Sequence, residues 1–180
     1  MNHPMYEVFA TADCLYPAVA VEAALDRIAA EISTRLADRN PLILCVLTGG
    51  IVPVGHLLTR LTFPLQLDYI HATRYENQTR GGELVWIARP VTSLAGRTVL
   101  VVDDILDEGI TLAALLNHCR NAGAAEVLSA VLVRKDRSRP VDLDPDFVGL
   151  EIPDRYVFGY GMDYQGYWRN AAGIYAVKGL

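Results

Sequence analysis

From residue 21 the apolar side chains Val21, Leu25, Ile28, Ile32 and Leu36 recur at steps of three and four, with Glu22, Asp26, Arg27, Glu31 and Arg35 between them. That spacing lays one apolar stripe along a helix. Asn40 and Pro41 in "DRNP" then supply breaking chemistry. Beyond them the pattern changes. "LILCVL" (42–47), "RTVLVVDD" (97–104) and "EVLSAVLV" (126–133) are short, continuous apolar runs, the form taken by strands buried on both faces of a parallel sheet. Helical spacing returns in "IVPVGHLLTRL" (51–61), with Pro53 in its first turn, and in "ITLAALLNHCRNAG" (110–123), closed by Gly123. "LQLDYIHA" (65–72) and "LVWIA" (84–88) read as the arms of a hairpin around "TRYENQTRGGE" (73–83), a polar stretch long enough for a lid.

Strand, helix, strand, helix, strand predicts an α/β fold: a mostly parallel central sheet flanked by helices. Past Lys135 the texture shifts to "DRSRPVDLDPD", then to short apolar pieces among glycines and aromatics, "YVFGYGMDYQGYWRN". This predicts a small irregular hood lobe with short strands of its own. The length of 180 residues suits one domain, 1–180, with a core over about 18–135 and a hood drawn largely from 136–180 plus the N-terminal segment.

Composition narrows the function classes. A net charge of -5 argues against nucleic acid as a partner, since phosphate backbones are held by an excess of lysine and arginine. The three cysteines, Cys14, Cys45 and Cys119, are scattered without ligand spacing, which supports neither a disulfide framework nor a zinc site. No basic segment precedes an apolar stretch at the N-terminus and no apolar run is long enough to span a membrane, so a cytoplasmic protein with no membrane association is expected.

The chemistry concentrates in "VLVVDDILDEGITL" (99–112). In an open parallel sheet, ligands bind beyond the carboxyl ends of the strands. Asp103 and Asp104 fall there, suited to accept hydrogen bonds from sugar hydroxyls or to face a hydrated Mg²⁺. "DEGIT" then opens a helix whose free N–H groups form an anion site, with Gly109 allowing close approach and Thr111 adding a hydroxyl. The plainer alternative is a solvated turn in which Asp107 caps the helix.

An apolar strand, two acids, two apolar residues and a loop closed by Gly-x-Thr resemble the PRPP signature of type I phosphoribosyltransferases. That resemblance implies the type I fold, an acid pair facing ribose, and a loop of Asp107, Glu108, Gly109, Ile110 and Thr111 around the 5′-phosphate. Three further segments resemble the hypoxanthine-guanine branch. "LVRKDRSRP" would bring Lys135 to the exocyclic oxygen of a purine, although alone it reads as a solvated strand-end cation. "PDFVGLEIPDRYVFGYGMDYQGYWRN" (145–170) would stack Tyr156 on the purine and offer the backbone of Val157 to its edge. The same segment would set Asp163 on Mg²⁺ and Arg169 on pyrophosphate. "LTGG", with Thr48 and Gly49, resembles the pyrophosphate loop. A lysine donor favours 6-oxopurines over adenine. Asp107 is the acid that the resemblance puts near purine N7, as general base. What it implies is purine salvage: hypoxanthine or guanine joined to the ribose of PRPP, giving IMP or GMP and pyrophosphate with Mg²⁺, by a homodimer or homotetramer.

Three positions depart from the family. Glu108 replaces a small hydroxyl residue, and a carboxylate near a phosphate is repelled by about 1 kcal/mol at 4 Å even in water. Thr48 stands where a basic residue is common, and in the lid Arg74 replaces the usual serine beside Tyr75. A pyrimidine phosphoribosyltransferase with a regulatory role would share the PRPP signature without the Lys135 and C-terminal fit. A non-catalytic PRPP-sensing module would lack the base, which Asp107 argues against.

Overall fold

A computed structural model describes residues 3–74 and 84–180. The elements run α1 (Met5–Thr11), β1 (Asp13–Pro17), α2 (Ala18–Leu36), β2 (Leu42–Val46), α3 (Ile51–Leu58), β3 (Gln66–Arg74), β4 (Leu84–Ala88), β5 (Thr98–Leu106), α4 (Ile110–Asn121), β6 (Glu126–Asp136), β7 (Phe147–Pro153), β8 (Val157–Phe158) and β9 (Gly173–Ala176). Six strands form the main sheet in the order β4-β3-β2-β5-β6-β7, parallel throughout except for the β3–β4 hairpin. A smaller antiparallel sheet, β1-β9-β8, makes the hood.

The continuous apolar runs are explained by two covered faces. Along β5, Leu100 and Val102 pack in one core with α2 and α3, while Val99 and Val101 pack in another with α4. Alternate side chains point to opposite faces, so a strand roofed on both sides must be apolar at every position. Helix α2 buries Val21, Leu25, Ile28, Ile32 and Leu36, the stripe read from spacing, and ends before Asn40, whose φ of 44° is left-handed.

One strand differs from the expected organisation. Phe147–Pro153, which falls in the segment assigned to the hood, is the parallel edge strand beside β6. The N-terminal residues supply both a helix and a hood strand. Phe9 of α1 sits 4.9 Å from the Trp168 ring and 4.8 Å from Tyr175, and β1 pairs with β9. No helix among the described residues is long and apolar enough to cross a membrane.

Candidate functional site

The chain leaves β2 through α3 towards one edge of the sheet and leaves β5 through α4 towards the other. Their carboxyl ends therefore diverge, and a crevice opens between them. Strand β5 runs on through the acid pair to Leu106, so Asp103 and Asp104 stand on the strand itself. Asp103 Oδ1 accepts the Asp104 N–H at 2.9 Å, and Asp104 Oδ1 accepts that of Ile105 at 2.9 Å. Burial, then the neighbouring charge of Asp104, pushes the Asp103 carboxyl well above the usual carboxylate range. Burial raises Asp104 as well, opposed by its hydrogen bond with Asp103 and by Arg169, whose Nη1 lies 3.9 Å from Oδ2.

The loop after β2 presses against this pair. A Cβ on Gly49 would lie 1.9 Å from Asp104 Oδ2, and one on Gly50 would lie 2.6 Å from the Val46 carbonyl oxygen. Only glycine fits either place. The Leu47–Thr48 peptide is cis. The hood closes on the same loop: Gly161, with φ of 110°, would put a Cβ 2.1 Å from the Gly49 carbonyl oxygen. Arg169 is held there by the Gly161 carbonyl, 2.5 Å from Nη1, and by Asp163 Oδ1, 2.5 Å from Nη2.

Gly109, with φ of 80°, is the N-cap of α4, and no side chain caps that helix. The capping reading of Asp107 is thus corrected. Its carboxylate is turned away from the helix, onto Lys135 Nζ at 2.8 Å and Arg137 Nη1 at 2.7 Å. A side chain at Gly109 would be strained by that φ and would crowd Val141, whose Cγ2 lies 2.9 Å from the place of a Cβ. A cleft of about 440 Å³ results, walled by Gly49, Asp103, Asp104, residues 107–111, Asp163 and Arg169.

A second cavity of about 230 Å³ adjoins it, and Asp104, Ile105, Asp107 and Asp163 line both. Its far side carries Lys135, Tyr156, Val157 and Met162. Lys135 is only 8% exposed, which excludes the solvated-cation reading. Tyr156 is 45% exposed, its ring edge-on to Tyr164 at 5.4 Å. The Val177 N–H donates to the Tyr156 carbonyl at 2.9 Å, so the next pair in register, Val157 and Ala176, is a non-hydrogen-bonded one. Strand β8 is an edge strand, and the N–H and C=O of Val157 point from it away from β9.

The chain matches the phosphoribosyl transferase domain family model over residues 11–165. It is 34% identical over 165 residues to the hypoxanthine-guanine-xanthine phosphoribosyltransferase of Tritrichomonas foetus, covering 91% of this chain and 90% of that one. To the hypoxanthine-guanine phosphoribosyltransferase of Bacillus subtilis it is 33% identical, covering 88% of each. The chain belongs to the hypoxanthine-guanine phosphoribosyltransferase family. The fold agrees: a hypoxanthine phosphoribosyltransferase structure from Staphylococcus aureus superposes with a TM-score of 0.90 at 24% identity, covering 99% of this chain and 96% of that one.

Most residues that family resemblance points to converge on the paired cavities: Asp103, Asp104, Asp107, Glu108, Gly109, Ile110, Thr111, Gly49, Arg169, Lys135, Tyr156, Val157 and Asp163. Thr48 does not. It is exposed and outside the lining, and its carbonyl accepts the Ile51 N–H at 3.3 Å. Tyr75 and the side chain of Arg74 lie outside the described residues. Three groups went unread. Arg137 stands two positions past Lys135, the period at which a strand presents the same side, and that was the available signal. Asp154 reaches the same two cations, at 3.5 Å from Lys135 Nζ and 3.4 Å from Arg137 Nη1. Behind the Gly49 loop, Glu22 binds Tyr160 Oη at 2.5 Å, Arg60 Nη2 at 2.5 Å and His56 Nδ1 at 3.1 Å, and no local pattern announces that meeting.

Three carboxylates meet the requirements of Mg²⁺ in part. Asp103, Asp104 and Asp163 offer hard oxygen donors in one cleft. Yet among the described residues no three acidic, histidine or cysteine side chains converge closely enough to hold a metal alone. That fits Mg²⁺, which keeps waters and takes its remaining ligands from substrate phosphates.

Proposed function

We propose that the protein transfers the phosphoribosyl group of PRPP to hypoxanthine or guanine, forming IMP or GMP and releasing pyrophosphate. The observation that carries this reading is the shared wall. Asp107, with Asp104 and Asp163, borders both an anion-suited cleft and a second cavity that holds the buried Lys135 beside Ile105, Tyr156, Val157 and Met162, so carboxylates stand between the places for a sugar phosphate and a base.

The backbone N–H groups of residues 107–111, at the start of α4, receive the 5′-phosphate, with Thr111 adding its hydroxyl. Asp103 and Asp104 face the ribose. Gly49 through its backbone and Arg169 through its guanidinium hold the pyrophosphate, Thr48 standing outside the cleft lining, and Arg74 and Tyr75 belong to the proposed lid. Lys135 donates to the 6-oxo group, Tyr156 stacks on the ring, and the outward N–H and C=O of Val157 meet the purine edge. Asp107 accepts the N7 proton as N9 attacks C1′. Asp163, with the acid pair, would hold Mg²⁺, which when bound offsets the charge on departing pyrophosphate.

Leu67, Tyr69, Val85 and Ile87 leave apolar side chains exposed on the β3–β4 side of the sheet. A second copy covering this face would give the homodimer, or half of a homotetramer, and a cytoplasmic enzyme of this kind needs no other partner. Incubation with PRPP, Mg²⁺ and each nucleobase in turn tests the reading. IMP or GMP should form and AMP should not. Lys135→Ala should raise KM for the purine far more than for PRPP, and efficient AMP formation would overturn the assignment.

A further inference from the structure

Asp107 is gripped from both sides: Lys135 holds Oδ2 and Arg137 holds Oδ1. Asp154 Oδ1 stands within 3.5 Å of the lysine and 3.4 Å of the arginine, so two cations are shared between two acids. Arg139 fixes the backbone around them, donating to the carbonyls of Asp107 and Lys135. Of these five, only Asp107 and Lys135 line the base-side cavity; Arg137 stands behind the carboxylate. Among the described residues its buried Nε meets no acceptor. Its Nη1 contacts keep it in place.

We infer that Arg137 is the positioning residue for Asp107, an inference that rests on Asp107 being the general base. When a purine arrives, Lys135 turns towards the 6-oxo group and its grip on Oδ2 loosens. Arg137 keeps Oδ1 fixed, so the carboxylate cannot rotate and Oδ2 presents its lone pair to N7–H. Without Arg137, Lys135 is the one counter-ion left to the two acids among the described residues and is drawn back from the substrate, while Asp107 loses its orientation.

The test is a double-mutant cycle on the full-length protein, after thermal melts confirm folding. Arg137→Met should lower kcat on the order of tenfold while leaving KM for PRPP near wild type, as expected for a misaimed base. Arg137→Lys, which restores a cation within reach of Oδ1, should recover most of the loss. In an Asp107→Asn background Arg137→Met should change kcat no further. Should Arg137→Met not fold, Arg137→Gln is read in its place. An Arg137 variant within twofold of wild type, or one whose loss adds fully to that of Asp107→Asn, overturns the inference and leaves the base assignment standing. If Asp107→Asn itself keeps kcat within a few-fold, the base assignment fails and this inference falls with it.

Discussion

Gly49→Ala is a severe probe of how the acid pair and the loop after β2 are fitted together. The added Cβ would lie 2.3 Å from Asp104 Cγ and 2.7 Å from Oδ1, besides the 1.9 Å approach to Oδ2. Carbon atoms rest about 3.5–4.0 Å apart, so the carboxylate must retreat by more than about 1 Å. It has little freedom to do so, being buried and held through Oδ1 by the Ile105 N–H. Overpacking of this kind costs about 1–3 kcal/mol, which in a chain of this size lowers Tm by about 2–4 °C for each kcal/mol. The effect on activity should be larger, because a misplacement of about 1 Å costs on the order of 10²-fold in rate. Gly55→Ala in α3 is the control. Nothing lies within 4 Å of its Cβ, and replacing a helix-interior glycine should add about 0.5–1 kcal/mol. Differential scanning fluorimetry and steady-state kinetics with varied PRPP measure both variants. If Gly49→Ala keeps its Tm and its kcat/KM for PRPP within threefold, the loop does not abut Asp104 and the shared geometry of the cleft is wrong.

Four further outcomes are expected. Asp107→Asn should lower kcat by ~10²–10⁴-fold with PRPP affinity near wild type, as read from rates and a binding titration. Glu108→Thr should keep activity and lower KM for PRPP modestly; loss of most activity would assign the carboxylate a part of its own. Glu22 is held below the usual glutamate value of 4.5, first by the Tyr160 hydrogen bond and then by Arg60 and His56, so its contribution is present above that value and lost as pH falls through the lowered one. Glu22→Gln should therefore cost about 1 kcal/mol at pH 7, discounted for its partial exposure, and progressively less in acid, as urea titrations at several pH values will show. Burial pushes the thiols of Cys45 and Cys119 up to about 11, so a thiol reagent should label exposed Cys14 promptly and the other two only on unfolding.

Much of the fold was legible because its signals are local. The helical stripe of α2 and the apolar runs of β2, β5 and β6 each lie within one short stretch of neighbouring residues, and burial against two cores leaves a pattern that a linear reading detects. The hairpin of β3 and β4 was read the same way. β7 was not, because its burial alternates where the buried strands run apolar throughout, and edge position is a property of the whole sheet. β1 was missed for a related reason: five residues gain strand identity only by pairing with β9 at the other end of the chain.

The candidate site divides similarly. Residues 99–112 carry acids, glycine and hydroxyl in an order that local chemistry and family resemblance both interpret, and the chain by itself determined that a glycine-bearing strand-to-helix turn rich in acids follows β5. It could not say where the Asp107 side chain would turn. As a strand-to-helix acid it reads as a cap, and only folding brings Lys135 and Arg137 to it, across 28 and 30 residues of sequence. The same holds for Gly49 against Asp104, and for Gly161 against Gly49. Such contacts are set by how closely separate elements pack, a distance no residue type encodes, so the tertiary structure alone decided which side chains share the cleft and which cations hold Asp107.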